Sequence, residues 1–162
     1  MAITGMNHAV LYVRDARRNA AFYRDVLGFT SVIEHPAGAF AFLRAPASQN
    51  HHDIAFFSIG ENAGASTAGQ STVGLYHIAW EVPTLDDLEA VRKRLVDAGA
   101  LVGASDHGAN KSLYAKDPDG LEFEVMWLVP PELWGDEEHE AIVRPLDIEA
   151  DKRRYADSGI RR

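Results

Sequence analysis

The chain has 162 residues, 46% of them hydrophobic, and can therefore bury one sizeable core in a single domain or in two small paired halves. Its net charge of -8 argues against a nucleic-acid partner, because binding to a phosphate backbone is driven by clustered Lys and Arg. The absence of cysteine excludes disulfides, thiolate nucleophiles and cysteine-type zinc sites, so any metal must be held by nitrogen and oxygen. No stretch is apolar over the length of a membrane span and no signal-peptide pattern is present, so we expect a cytoplasmic protein without a membrane partner.

The N-terminal part of the chain predicts the element order βαβββ. Strand Met6–Val13 precedes helix Asp15–Leu27, in which the apolar residues have helical spacing. Asp15 is the expected N-cap of this helix, and Gly28 is the expected stop. Three further strands follow, separated by Gly, Pro, Asn and His-Pro turn signals: Phe29–Glu34, Phe40–Leu43 and Asp53–Ile59.

The same element order is predicted a second time after a connector rich in small residues, 60–74. Strand Leu75–Val82 precedes helix Leu85–Ala98, which Thr84 caps and Gly99 ends. Three shorter apolar runs then predict the remaining strands: Leu101–Ala104, Ser112–Lys116 and Leu121–Leu128.

The spacing between the two halves indicates a duplication. His8 and His77 are 69 positions apart, and the helix-ending Gly28 and Gly99 are 71 apart. We therefore expect an α+β fold in which two tandem βαβββ modules, about 6–59 and 75–128, form a curled mixed sheet around a metal site within a domain of residues 1–130. Residues 131–162, which are acidic and contain two prolines, are expected to be a C-terminal extension that wraps this domain or a partner.

Strand alternation places the chemically interesting side chains on the faces that the helices do not cover. His8 shares a face with Val10 and Tyr12, His77 shares one with Ala79, and Glu124 shares one with Glu122 and Met126. Two histidines and one carboxylate leave three octahedral positions open, which suits non-heme Fe(II), and Mn(II) accepts the same ligands. Taken singly, each histidine could instead be a hydrogen-bonded packing residue, and Glu124 could face water.

Four sequence features together resemble the vicinal oxygen chelate superfamily, which includes glyoxalase I, bleomycin-resistance proteins and type I extradiol dioxygenases. They are the βαβββ duplication, the segment NAAFYRDVLGF, the strand YHIAWEV, and the run SLYAKDPDGLEFEVMW. The resemblance covers about Met6 to Leu128. Because members of this superfamily differ in chemistry, membership alone does not decide the reaction.

The resemblance is strongest to a single-domain type I extradiol dioxygenase, which implies a catechol-type substrate, O₂ and a ferrous ion bound by His8, His77 and Glu124. It further implies that His52, in HHDIAFF, moves a proton, and that Tyr114, ten residues before Glu124, orients the substrate. His107 is then a candidate substrate contact. Apolar residues would shape an aromatic pocket: Val10 and Met126, with Phe57 and Trp127 nearby.

Two alternatives stay open at the level of sequence. Glyoxalase-type isomerases, lyases and epimerases use two ligands from each module. The 69-residue offset puts Ala55 opposite Glu124, whereas the 71-residue offset puts Asp53 there as a fourth ligand. A metal-free drug-binding resistance protein is the other alternative. We also expect a homo-oligomer, because two small modules leave exposed sheet edges.

Overall fold

The computed structural model describes residues 2–156, and its chain divides into two compact units. The first unit is Met1–Ser66 together with Asp117–Gly120, and the second is Thr67–Lys116 together with Leu121–Arg162. Each unit contains one βαβββ module with its own four-stranded mixed sheet, which confirms the predicted α+β fold of tandem modules. Neither sheet contains strands from both modules.

The first unit is built around helix α1, Ala16–Leu27, packed on one face of its sheet. The strands are β1 Ala9–Val13, β2 Thr30–Glu34, β3 Phe40–Arg44 and β4 Ile54–Ser58, in the spatial order β1-β4-β3-β2. β1 and β4 are parallel, and the other neighbours are antiparallel. The buried face of the sheet and the inner face of α1 form the core, which includes Ala20, Tyr23, Leu43, Ile54 and Phe56.

The second unit repeats this topology around helix α2, Leu85–Asp97. Its strands are β5 His77–Glu81, β6 Leu101–Asp106, β7 Asn110–Lys116 and β8 Glu122–Leu128, in the order β5-β8-β7-β6. β5 and β8 are the parallel pair. Leu88, Leu95, Leu113, Phe123 and Val125 form the centre of this core.

The helix boundaries agree with the capping signals in the sequence. The side chain of Asp15 accepts a hydrogen bond from the Arg17 N–H at the start of α1, and Thr84 accepts one from Asp87 at the start of α2. Gly28 ends α1 with a φ of 78°, a conformation that a residue without a Cβ adopts at little cost.

Several strand boundaries differ from the sequence prediction. β1, β4 and β5 begin later than expected, at Ala9, Ile54 and His77. Before β1 and β4, polar side chains hydrogen-bond locally. β6 and β7 are longer than expected, reaching Asp106 and starting at Asn110.

The described part of the C-terminal extension packs on the second unit. Two short 3₁₀ helices, Pro131–Leu133 and Gly135–His139, precede a backbone bridge between Asp106 and Arg144. Helix α3, Ile148–Arg154, then packs against α2. Within residues 2–156, no helix combines the length and the apolar character needed to cross a membrane.

Candidate active site

The second unit brings a histidine and a carboxylate into direct contact. Adjacent parallel strands β5 and β8 align Ala79 with Glu124, and this register places His77 Nε2 3.0 Å from Glu124 Oε2. Glu124 is only 6% exposed, and the hydroxyl of Ser112 donates to its Oε1. Asn110 lies 3.4 Å from the same oxygen. The Glu124 carboxylate is therefore held by neighbours on β5 and β7.

This pair fits the donor set of a divalent metal. Two ligands at right angles, each about 2.1 Å from a metal, are about 3.0 Å apart, and the nitrogen and oxygen of His77 and Glu124 have that separation. The other ring nitrogen of His77, Nδ1, is buried and has no hydrogen-bond partner in the described part of the chain. The separation of the two side chains is thus compatible with two ligands of one divalent cation.

Tyr114 and His107 form a second pair on the same sheet. Tyr114 lies opposite Glu124 in the β7–β8 register, and its ring centroid is 5.9 Å from that of His77. His107, in the β6–β7 turn, has its Nε2 2.8 Å from Tyr114 Oη and its Nδ1 2.7 Å from the carbonyl oxygen of Ile142. Burial, followed by the charge of Glu124, raises the pKa of Tyr114 above its ordinary value.

The first unit brings His8 and His52 together. Their ring centroids are 4.4 Å apart, and His52 also contacts the ring of Phe42 at 5.0 Å. Burial and the neighbouring imidazoles of His8 and His51 lower the pKa of His52, so it is mainly neutral near pH 7. His51 and His52 precede β4, so strand alternation does not apply to them. Of these two histidines, His52 is the one whose ring contacts His8.

His8 has one ring nitrogen free for a ligand. Its Nδ1 lies 2.8 Å from Oδ1 of Asn7, whose own amide nitrogen donates to Asn50. Because an amide oxygen only accepts, the proton is on His8 Nδ1 and the lone pair is on Nε2. Neither asparagine was singled out from the sequence, although Asn7 directly precedes the histidine.

The strand registers decide which residue of the first module corresponds to Glu124. Val10 pairs with Ala55 in the first unit as Ala79 pairs with Glu124 in the second, which is the 69-residue offset. Ala55 is therefore the counterpart, and no carboxylate stands at that position. Asp53 corresponds instead to Glu122.

The carboxylate of Asp53 is occupied by its own loop. It accepts hydrogen bonds from the Ala45 N–H at 2.8 Å, from Ser48 at 2.7 Å and from Asn50 at 2.8 Å. Burial raises the pKa of Asp53, but these bonds outweigh it and hold the pKa below its ordinary value. Asp53 therefore stabilises the loop before β4.

The predicted pocket residues fall into two groups. Val10, 52% exposed, and the half-buried Phe57 lie on the His8 side of the first sheet, and Met126 shares the face of Glu124. Trp127 is wrong as a pocket residue. It is buried on the opposite face of β8, where its ring packs on Tyr155 at 5.3 Å.

The three predicted ligands are divided between the units, with His8 in the first and His77 and Glu124 in the second. Across residues 2–156, no three side chains of His, Asp and Glu form a group able to hold a metal ion. Three pairs of candidate site residues are in contact, each pair within one unit: His77 with Glu124, Tyr114 with His107, and His8 with His52.

A model of the Glyoxalase/Bleomycin resistance protein/Dioxygenase superfamily matches residues 5–125. The chain belongs to this superfamily. Its curated relatives in the superfamily include biphenyl-2,3-diol 1,2-dioxygenase 3 of Rhodococcus globerulus, 34% identical over 128 residues, which are 77% of this chain and 65% of that protein. Catechol-2,3-dioxygenase of Bacillus subtilis strain 168 is 30% identical over 132 residues, 81% of this chain and 44% of that protein. The chain thus spans less than two thirds of the length of either relative.

A solved superfamily structure shows the same fold. The glyoxylase/bleomycin resistance protein/dioxygenase domain from Frankia sp. EAN1pec superposes with a TM-score of 0.67 at 21% identity, covering 86% of this chain and all of that one. At this identity the likeness concerns the fold alone.

Proposed function

We propose that the chain is a metal-dependent extradiol dioxygenase that cleaves a catechol-type ring with O₂, using Fe(II) or Mn(II) held by His8, His77 and Glu124. The observation that carries the proposal is the pairing of Val10 with Ala55, which leaves the first module without a counterpart of Glu124. A set of two histidines and one carboxylate is the ligand arrangement of non-heme Fe(II) oxygenases.

Contacts within each unit support the ligand assignment. Glu124 Oε2 lies 3.0 Å from His77 Nε2, and the Ser112 hydroxyl donates a hydrogen bond to the other carboxylate oxygen, Oε1. His8, the counterpart of His77 by the module repeat, donates its Nδ1–H to Asn7 Oδ1, which leaves the lone pair on Nε2. When bound, the metal would lower the pKa of a chelated hydroxyl and provide adjacent positions for a diol and O₂.

The remaining side chains have roles in proton transfer and in binding. His52 is mainly neutral at pH 7, and its Nδ1 lies 3.0 Å from Nδ1 of His51. In the tautomer in which His52 donates to His51, its Nε2 carries the lone pair and accepts a proton from a substrate hydroxyl. Tyr114 orients a substrate oxygen by a hydrogen bond. Phe42 and Phe57, whose rings lie 6.0 Å apart, offer an aromatic surface next to His52 for a ring-shaped substrate.

The relatives support this reaction class, since proteins 30 to 34% identical to the chain bear dioxygenase names. A glyoxalase-type isomerase or lyase would need a second ligand from the first module. Asp53 was the candidate, and its three hydrogen bonds within its own loop argue against that use.

The test is anaerobic loading of the full chain with Fe(II), addition of a catechol, and admission of air. We expect O₂ uptake and a yellow ring-fission product. Metal uptake without O₂ consumption would favour the isomerase class instead, and tight binding of an aromatic ligand without any metal uptake would favour the drug-binding class.

A matched pair of variants tests the ligand assignment. Glu124→Gln keeps an acceptor for Ser112 but removes the anionic ligand, so bound iron should fall at least tenfold with the fold intact. Glu122→Gln makes the same chemical change two residues earlier on the same face and should bind iron as the unaltered chain does. Equal iron contents in the two variants would remove Glu124 from the metal site. Sizing chromatography of the same samples tests the expected homo-oligomer.

A further inference from the structure

Tyr114, His107 and the carbonyl of Ile142 form a hydrogen-bonded chain in which each proton can be assigned. A carbonyl oxygen only accepts, so His107 Nδ1, 2.7 Å from Ile142 O, carries a proton. In neutral His107 the lone pair is then on Nε2, which lies 2.8 Å from Tyr114 Oη. Tyr114 consequently donates its only proton to His107.

Ser112, which also hydrogen-bonds Tyr114, is engaged with two further partners. The hydroxyl proton of Ser112 is donated to the Glu124 carboxylate, and Asn110 donates to the Ser112 oxygen at 2.7 Å. The Tyr114 oxygen therefore has only lone pairs left to offer a bound molecule.

The C-terminal segment, residues 131–156, supplies the carbonyl at the start of this chain. The backbone of Arg144 exchanges two hydrogen bonds with that of Asp106, each 2.9 Å long, and its guanidinium also bonds the Asp106 carboxylate. Gly108 lies so close to this segment that an added Cβ would be 3.0 Å from Ile142 Cδ1. The segment is thus held against the β6–β7 turn that carries His107.

We propose that the C-terminal segment sets the hydrogen-bonding direction of Tyr114 and thereby selects a substrate oxygen that still carries its proton. The inference rests on the proposed dioxygenase function, since it defines which form of a diol the site binds. Tyr114 accepts a hydrogen bond from the substrate hydroxyl. A carbonyl, a carboxylate or a methyl ether in that place finds no donor there, because the Tyr114 proton is already used. His107 is accordingly a positioning residue and not the substrate contact expected from the sequence.

The first test measures the tautomer of His107 by ¹⁵N nuclear magnetic resonance of the full chain, with His107→Gln used to assign its signals. We expect the Nδ1–H form, and we expect it to persist in Tyr114→Phe because the Ile142 carbonyl determines it. His35 is an internal reference for the opposite tautomer, since its Nδ1 accepts from the Ala37 N–H at 3.1 Å. An Nε2–H form of His107 in either protein overturns the proposal.

The second test compares two replacements of His107 in steady-state kinetics with catechol. Gln offers an N–H to Ile142 and an oxygen to Tyr114, so His107→Gln should keep KM within about twofold of the unaltered chain. His107→Leu fills similar space but frees the Tyr114 proton, and its KM should rise about tenfold while kcat changes less. Equal KM values would reduce His107 to a packing residue. Absence of turnover in the unaltered chain would refute the proposed function, while the tautomer measurement would still decide the hydrogen-bond direction.

Discussion

The buried ammonium of Lys111 allows a quantitative prediction about the second unit. Lys111 is fully buried, and its Nζ donates to Asp106 Oδ1 and to the Gly108 carbonyl. Its only other counter-charge in the described residues is Asp151, at 3.7 Å, and burial raises the pKa of that carboxyl. Replacement of Asp106 by Asn should therefore leave a buried and poorly compensated charge.

The loss of unfolding free energy in each variant depends on which charged and hydrogen-bonding groups remain around the unaltered partner. Removing one partner of a buried ion pair costs about 3–5 kcal/mol, and the remaining Asp151 puts Asp106→Asn at about 3 kcal/mol. Lys111→Met should cost only about 1 kcal/mol, because Asp106 keeps the Arg144 guanidinium at 3.2 Å and the Gly108 N–H at 2.7 Å. The double variant should be more stable than Asp106→Asn alone, with a coupling free energy of about 2 kcal/mol.

Urea unfolding followed by tryptophan fluorescence measures these free energies in the relevant unit. All three tryptophans, Trp80, Trp127 and Trp134, lie in the second unit, so the signal reports its unfolding. With an m-value of about 2 kcal/mol per M, Asp106→Asn should lower the midpoint by about 1.5 M. A loss below about 0.5 M, or a double variant no more stable than Asp106→Asn, would refute the reasoning.

Three further predictions concern the first unit and can be followed by circular dichroism. Asp53→Asn should lower stability by about 1–2 kcal/mol at pH 7. Because the folded pKa of Asp53 is depressed, this difference should shrink as the pH falls below about 4, and a constant difference would contradict the assignment. Gly28→Ala should lower the free energy of unfolding, measured by a thermal melt, by about 1 kcal/mol. The cost arises from the φ of 78° at this position, because the added Cβ would make only an ordinary van der Waals contact. Asp119→Ala removes the acceptor for Arg14 at 2.8 Å and for the buried Asn19 at 2.6 Å and should cost about 2–3 kcal/mol, whereas Asp119→Asn should cost less.

The local elements could be predicted because their signals are local. Asp15, Thr84 and Gly28 marked the helix ends correctly, since capping and the left-handed conformation depend on residues next to each other in the chain. Alternation within a strand also placed Glu124 and Met126 on one face of β8. The stretches that were predicted less well are those where polar side chains compete with strand pairing, as before β4.

The register between strands was beyond the reach of sequence patterns. Offsets of 69 and 71 residues were both compatible with the repeat. The first makes Ala55 the counterpart of Glu124, whereas the second makes Asp53 the counterpart. Pairing of Val10 with Ala55 decided between them, because hydrogen bonding between strands distant in the chain sets which side chains are neighbours.

The sequence by itself determined the duplicated βαβββ order and the superfamily, because periodicity, caps and short motifs are properties of neighbouring residues. Only the tertiary structure decided that Asp53 serves its own loop, that Trp127 faces Tyr155, and that Ile142 controls the tautomer of His107. The physical reason is the same in each case: these contacts join residues whose separation along the chain carries no pattern. The direction of a hydrogen bond depends on which group happens to lie opposite.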